Sequence, residues 1–138
     1  AKSKDLRVTI VSGDVHVAAW GVVSRNDVPP GENWAQVQQL TSTAIVHPSL
    51  VSVMERLFFH VLNNVAKGEQ ELDVNLTAKM MLFPGDNRHV KAARNWLALE
   101  LDLGDGDKGS KLWATWRCET KGSFTNHLLA IDANSPPT

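Results

Sequence analysis

The chain has a single cysteine, no excess of positive charge and no long apolar run, and each shortage excludes something. With Cys118 alone there is no internal disulfide and no all-cysteine zinc cage, although one thiol can still join a mixed ligand set. A formal net charge of −1 provides no positive field to gather a polyanion, so nucleic acid is not an expected partner. No stretch approaches the roughly 20 apolar residues that span a bilayer, and Ala1 to Leu6 leads into a strand pattern without a signal-type apolar region. No membrane association is expected. There is no internal repeat, and the first residue is not methionine. With strand-like residues beginning by Leu6, the expectation is a natural protein that continues upstream. What is present suffices for one folded domain: 138 residues, 43% of them hydrophobic, can bury a core.

Hydrophobic patterning gives a mixed order of elements. Leu6 to Val11 is rich in β-formers and stops at Ser12-Gly13-Asp14, as a buried strand does at a turn. Val15 to Val23 reads as a second extended run, Ser24 to Trp34 as a loop full of turn formers, and Leu40 to Val46 as a third strand. From Pro48 the period changes. Leu50, Met54, Leu57, Val61 and Val65 recur at spacings of three and four, which predicts a helix with these residues on one face. Pro48 suits its first turn, Ser52 with Glu55 offers a capping box slightly later, and Gly68 is the stop. Phe58, Phe59 and Leu62 widen the stripe, so the helix is expected to be covered on two sides.

Leu72 to Phe83 alternates poorly and reads as a short helical turn followed by an extended stretch, with a turn at Pro84-Gly85-Asp86-Asn87. Trp96 to Leu103 alternates apolar and polar residues in its second half, Lys111 to Glu119 does so again, and the glycine- and aspartate-rich segment 104–109 joins them as a hairpin. Trp96, Trp113 and Trp116 are expected on the buried face of that hairpin. The residues from Asn134 on read as a polar tail. The fold class is α/β.

The chemistry concentrates in Ser12-Gly13-Asp14-Val15-His16, directly after the first strand. Residues two apart in extended backbone point to the same side, so Asp14 and His16 can aim at one point. A carboxylate oxygen and an imidazole nitrogen at the C-terminal end of a buried strand are suitable ligands for a transition metal, where open α/β sheets bind their ligands. By spacing alone, the ordinary reading of the same residues is a turn aspartate beside a surface histidine.

The surrounding text is more specific. Val8-Thr9-Ile10-Val11-Ser12-Gly13-Asp14-Val15-His16-Val17-Ala18-Ala19 resembles the late metal-binding motif of PhoD-like phosphatases, within the metallophosphoesterase superfamily. Leu40 to Pro48 is similar to the Ser/Thr-rich strand that follows in that family, and Arg94 to Glu100 to the strand after its helical insertion. The resemblance implies the C-terminal half of an αββα metallophosphoesterase sandwich: a mixed sheet with a covering helix and a C-terminal hairpin, spanning 1–138 as an incomplete domain. It implies metal-dependent hydrolysis of phosphate monoesters and diesters, with iron and calcium as the typical metals. Asp14 and His16 carry over as metal ligands, and no catalytic residue does. His47, before Pro48, is a candidate substrate-binding residue or a junction histidine bonded to backbone. The other ligands of such a cluster have no counterpart in the chain, so the expected partner is the missing N-terminal half of the same domain, and the chain alone is expected to be inactive.

Two other readings compete with the phosphatase. One is a noncatalytic β-rich binding module that displays its tryptophans; the other is a degenerate metallophosphoesterase with a regulatory role. Asp102, Asp105 and Asp107 do not make a calcium loop, because Asp107 and Trp113 occupy the positions where an EF-hand needs glycine and glutamate. Cys118 reads as a small buried apolar residue, Asn95 as backbone satisfaction at a strand start, and His60, His89 and His127 as structural or solvent-facing.

Overall fold

The computed structural model describes residues 7–14, 16–29, 35–44, 53–104, 109–120 and 122–132. They form a mixed α/β chain made mostly of strands: β1 (Thr9–Asp14), β2 (Ala18–Arg25), β3 (Gln36–Thr43), α1 (Val53–Val65), β4 (Glu69–Asp73), β5 (Leu76–Met80), β6 (Val90–Lys91), β7 (Asn95–Asp102), β8 (Lys111–Thr120) and β9 (Ser123–Asp132). Six strands make one sheet in the order β1-β3-β2-β5-β4, with β6 against the start of β2. This sheet is mixed, because β1 runs parallel to β3 while the other pairs are antiparallel. The second sheet is the antiparallel meander β7-β8-β9.

Side-chain alternation explains how the sheets meet. In β8 every second residue (Ala114, Trp116, Cys118) is buried, and these face Ala18 of β2 and Leu40 of β3, with Phe83 filling the space between them. The Phe83 ring lies 5.2 Å from that of Trp116 and 5.1 Å from that of His127. Trp116 also donates its Nε1–H to the carbonyl of Thr41 at 2.9 Å, so the largest core side chain satisfies its polar handle on the facing sheet. Cys118 is fully buried, as its residue type suggested.

A polar lock joins the sheets at one end. Asn95, 1% exposed, accepts from Ser42 Oγ at 3.0 Å and from the Thr43 amide at 3.3 Å. Its Nδ2 donates to Thr43 Oγ1 at 3.0 Å and to the Ala93 carbonyl at 2.8 Å, and its own amide donates to Thr43 Oγ1 at 3.1 Å. Every hydrogen-bonding position of the amide side chain is used. The start of β7 is thereby fixed to the end of β3.

Several expectations need correction. The helix forms where its period placed it and ends just before Gly68, although Pro48 to Ser52 lie outside the described residues. It does not cover the sheet: among the strands its main neighbour is β6, and Leu57, Phe58, Val61 and Val65 are exposed. The partly buried stripe is instead Phe59, Leu62, Asn63 and Ala66, the set rotated toward the segment that leads into β6. Leu72 to Phe83 contains no helical turn; Glu69–Asp73 and Leu76–Met80 form a hairpin closed by Val74-Asn75, because β5 finds a partner in β2. The second strand starts at Ala18 rather than Val15, and the third at Gln36.

The Trp96–Leu103 and Lys111–Glu119 hairpin is present as β7 and β8, and β9 adds a third strand. Of its tryptophans only Trp116 is buried. Trp113 lies three residues away, which in a strand is the opposite face. Trp96 pairs with Arg117 on that same outer face and is 39% exposed, its ring 5.6 Å from Phe124 and 5.5 Å from the Arg117 guanidinium. No helix among the described residues is long and apolar enough to cross a membrane.

Candidate functional site

Asp14 is the last residue of β1, at the C-terminal end of the parallel pair, and its register partner is Thr43. The strand does not continue in extended form through His16, where the chain bends. Asp14 Oδ1 accepts the backbone amides of His16 at 2.8 Å and Val17 at 2.9 Å. This is an Asx turn, in which a short carboxylate satisfies the amides that a turning backbone leaves over. The carboxylate is exposed and oriented, and its Oδ2 makes no hydrogen bond among the described residues. His16 is half-buried beside it.

Three strands converge on this turn. Beside Asp14, the end of β3 is held by the Asn95 lock through Thr43, and Ser12 Oγ lies 2.9 Å from Thr41 Oγ1 two residues earlier in the same pair. On the other side β2 begins at Ala18, which pairs with Lys91 of β6. Lys91 Nζ reaches Asp86 Oδ2 at 2.8 Å. Burial pushes the Asp86 carboxyl up, but the Lys91 hydrogen bond and charge outweigh it and leave the group below the usual carboxylate range. Cys118 lies near this pair, and burial pushes its thiol up to about 11, so it is a neutral core residue and not a thiolate ligand.

The arrangement offers two ligand types, a carboxylate oxygen and an imidazole, on a turn anchored by polar contacts. A metal ion needs more donors than two. Among the described residues no group of three or more His, Cys, Asp or Glu side chains gathers around a common point. His47 lies outside the described residues. His89 and His127 lie away from the turn, each with one ring nitrogen against backbone: Nδ1 of His89 is 3.1 Å from the Met80 carbonyl, and that of His127 2.7 Å from the Pro84 carbonyl. His60 is exposed on α1. The turn aspartate is one of the two readings that the sequence offers for Asp14, and its contacts are local; what no local pattern specifies is the register between β3 and β7 that sets Asn95 against Ser42 and Thr43. Compared with known proteins, the chain matches no family model, no curated protein and no solved structure.

Proposed function

We propose that this chain supplies one metal-binding limb, Asp14 and His16, to a PhoD-like metallophosphatase that hydrolyses phosphate monoesters and diesters. In this reading it is the C-terminal half of an αββα metallophosphoesterase sandwich, and a preceding half of the same domain brings the remaining ligands. The observation that carries it is the position of Asp14: at the C-terminal end of a strand paired in parallel, with its carboxylate oriented by two amides and His16 two residues on. The surroundings of β1 support the second part. Among the described residues it pairs only with β3, yet Ile10 on one face and Val11 on the other are 49% and 55% exposed. Exposed Ile10 and Val11 on opposite faces of a strand that, among the described residues, is paired along one edge only are what an interior strand of a larger parallel sheet would present when uncovered.

Asp14 and His16 would hold iron or calcium together with ligands from the preceding half. Such ions lower the pKa of a bound water and neutralise phosphoryl oxygens. The chain's own contribution is to present the carboxylate in a fixed direction with His16 two residues on: the Asx turn orients Asp14, and Asn95 fixes the strand end beside it. The test is hydrolysis of p-nitrophenyl phosphate and bis(p-nitrophenyl) phosphate by the chain joined to its upstream coding region, with metal content measured alongside. Asp14→Asn combined with His16→Ala should abolish turnover and reduce bound metal while the protein stays folded. Undiminished turnover in that double variant would refute the reading.

A further inference from the structure

Between α1 and the segment 87–92 lies a recess of about 490 Å³ that the phosphatase reading does not use. Its volume falls in the range of small-molecule sites, roughly 300–1,000 Å³. Four of its lining residues are basic, His60 and Lys67 from the helix side and Arg88 and His89 from the segment opposite, and no carboxylate lines it among the described residues. This is a one-signed concentration in a chain whose net charge is −1. Neither Lys67 nor Arg88 forms an ion pair among the described residues; Arg88 acts on Asp86 only by its charge, and Asp86 is itself bound to Lys91.

The floor of the recess is fixed. Asn63 Oδ1 accepts the amides of His89 at 3.0 Å and Val90 at 3.2 Å, while its Nδ2 donates to the Phe59 carbonyl one turn back. One helix side chain thus pins the facing segment at the position where two of the basic residues arise. His89 has its Nδ1 committed to the Met80 carbonyl, which as an acceptor requires the proton there, so a ligand meets Nε2, which donates to a phosphate oxygen only when the ring carries a second proton. Phe59 adds an apolar wall. A solvated basic surface needs no such pinning.

We infer that this recess is a binding site for the phosphate group of a small phosphorylated molecule, held by Lys67 and Arg88 with His60 and His89 beside them. The guanidinium provides the planar fork and the ammonium the compact charge that phosphate oxygens accept from. The room beyond a single phosphate accommodates the rest of the molecule against Phe59. The site is distinct from the Asp14 turn, although both lie at the end of the sheet where β6 meets the start of β2. It requires neither the metal nor a preceding half of the domain.

The experiment is a titration of the full chain, without metal, with inorganic phosphate at constant ionic strength, followed through the ring resonances of His60 and His89. Saturable shifts of both rings are expected, absent with chloride. Lys67→Gln and Arg88→Gln should each weaken binding by about tenfold or more, the loss of one charge-assisted contact. Both side chains are exposed, so the fold is retained, which unchanged tryptophan emission verifies. Asp14→Asn with His16→Ala should leave the affinity unchanged, which separates this site from the metal limb. Absence of saturable shifts at millimolar phosphate, or equal affinity in the Lys67→Gln, Arg88→Gln double variant, would overturn the proposal.

Discussion

Replacing Asn95 by alanine should be among the most destabilising polar substitutions in this chain. The side chain is buried and makes four hydrogen bonds, three of them to Ser42 and Thr43 across the seam between the sheets and one to the Ala93 carbonyl two residues back. Their loss is not equally costly. Ser42 Oγ is only part-buried and can turn toward water, and the Ala93 carbonyl keeps the Thr43 hydroxyl as a donor at 3.2 Å. The Thr43 amide has no such alternative, and an orphaned buried N–H costs about 1–3 kcal/mol. Adding about 1 kcal/mol for the remaining bonds and a similar amount for the vacated volume gives about 3–5 kcal/mol. Against a total of roughly 5–15 kcal/mol for a domain, that is a large share. Urea unfolding followed by tryptophan emission should show the midpoint fall with an unchanged slope. Thr43→Val, which removes the hydroxyl that accepts from both Asn95 nitrogens, should couple to it by at least about 1 kcal/mol in a double-mutant cycle. A cost below about 1 kcal/mol for Asn95→Ala would refute the argument, since it would mean that water replaces the lock.

Two further expectations follow from the core and from the open edge. Because burial holds the Cys118 thiol up at about 11, the native state keeps a proton that the unfolded chain releases near pH 9. Stability from this group is therefore fully present below pH ~9 and lost as pH rises through about 11, by at most ~3 kcal/mol, and Cys118→Ala should flatten that decline; rapid labelling of the native thiol by a disulfide reagent at neutral pH would contradict it. The apolar edge at β1 should drive self-association of the chain on its own, and Ile10→Lys should shift size-exclusion elution toward the monomer with a stability change within ~0.5 kcal/mol; unchanged elution would place the association elsewhere.

How much of this was legible depends on whether the determining contact is local. The β7–β8 hairpin was, because alternation and a turn-rich connection are both local signals. The β4–β5 hairpin was not: every residue of Glu69–Asp73 is exposed, so no apolar alternation marks it, and its partner strand is supplied by β2. The period of α1 was legible, but the stripe that packs was not, since Asn63 selects it by binding the amides of His89 and Val90. The tryptophans carry a plainer lesson. Trp113 and Trp116 are an odd number of residues apart, and a strand puts such a pair on opposite faces however apolar both are. At the candidate site the residues were legible and the geometry was not. Asp14 and His16 were placed on one side by assuming extended backbone, whereas the carboxylate bends the chain by taking up its amides.

The division between polar and apolar contacts at the sheet edge bears on the proposed metal limb. What orients Asp14 is polar and already complete: two amides on its carboxylate, and the Asn95 lock on the strand beside it. What remains open is apolar: Ile10 and Val11 on β1, with Leu99 and Leu101 exposed on β7, one of the two edge strands of the second sheet. An oriented carboxylate that stands in water gains little from its orientation, because charge interactions weaken in high dielectric. Covering Ile10 and Val11 would exclude that water without rearranging the turn. The proposed preceding half would then contribute to metal affinity twice, through its own ligands and through the drier surroundings it gives Asp14. Substitutions at Ile10 that block the covering should consequently weaken metal binding in the joined protein even though Ile10 carries no ligand atom.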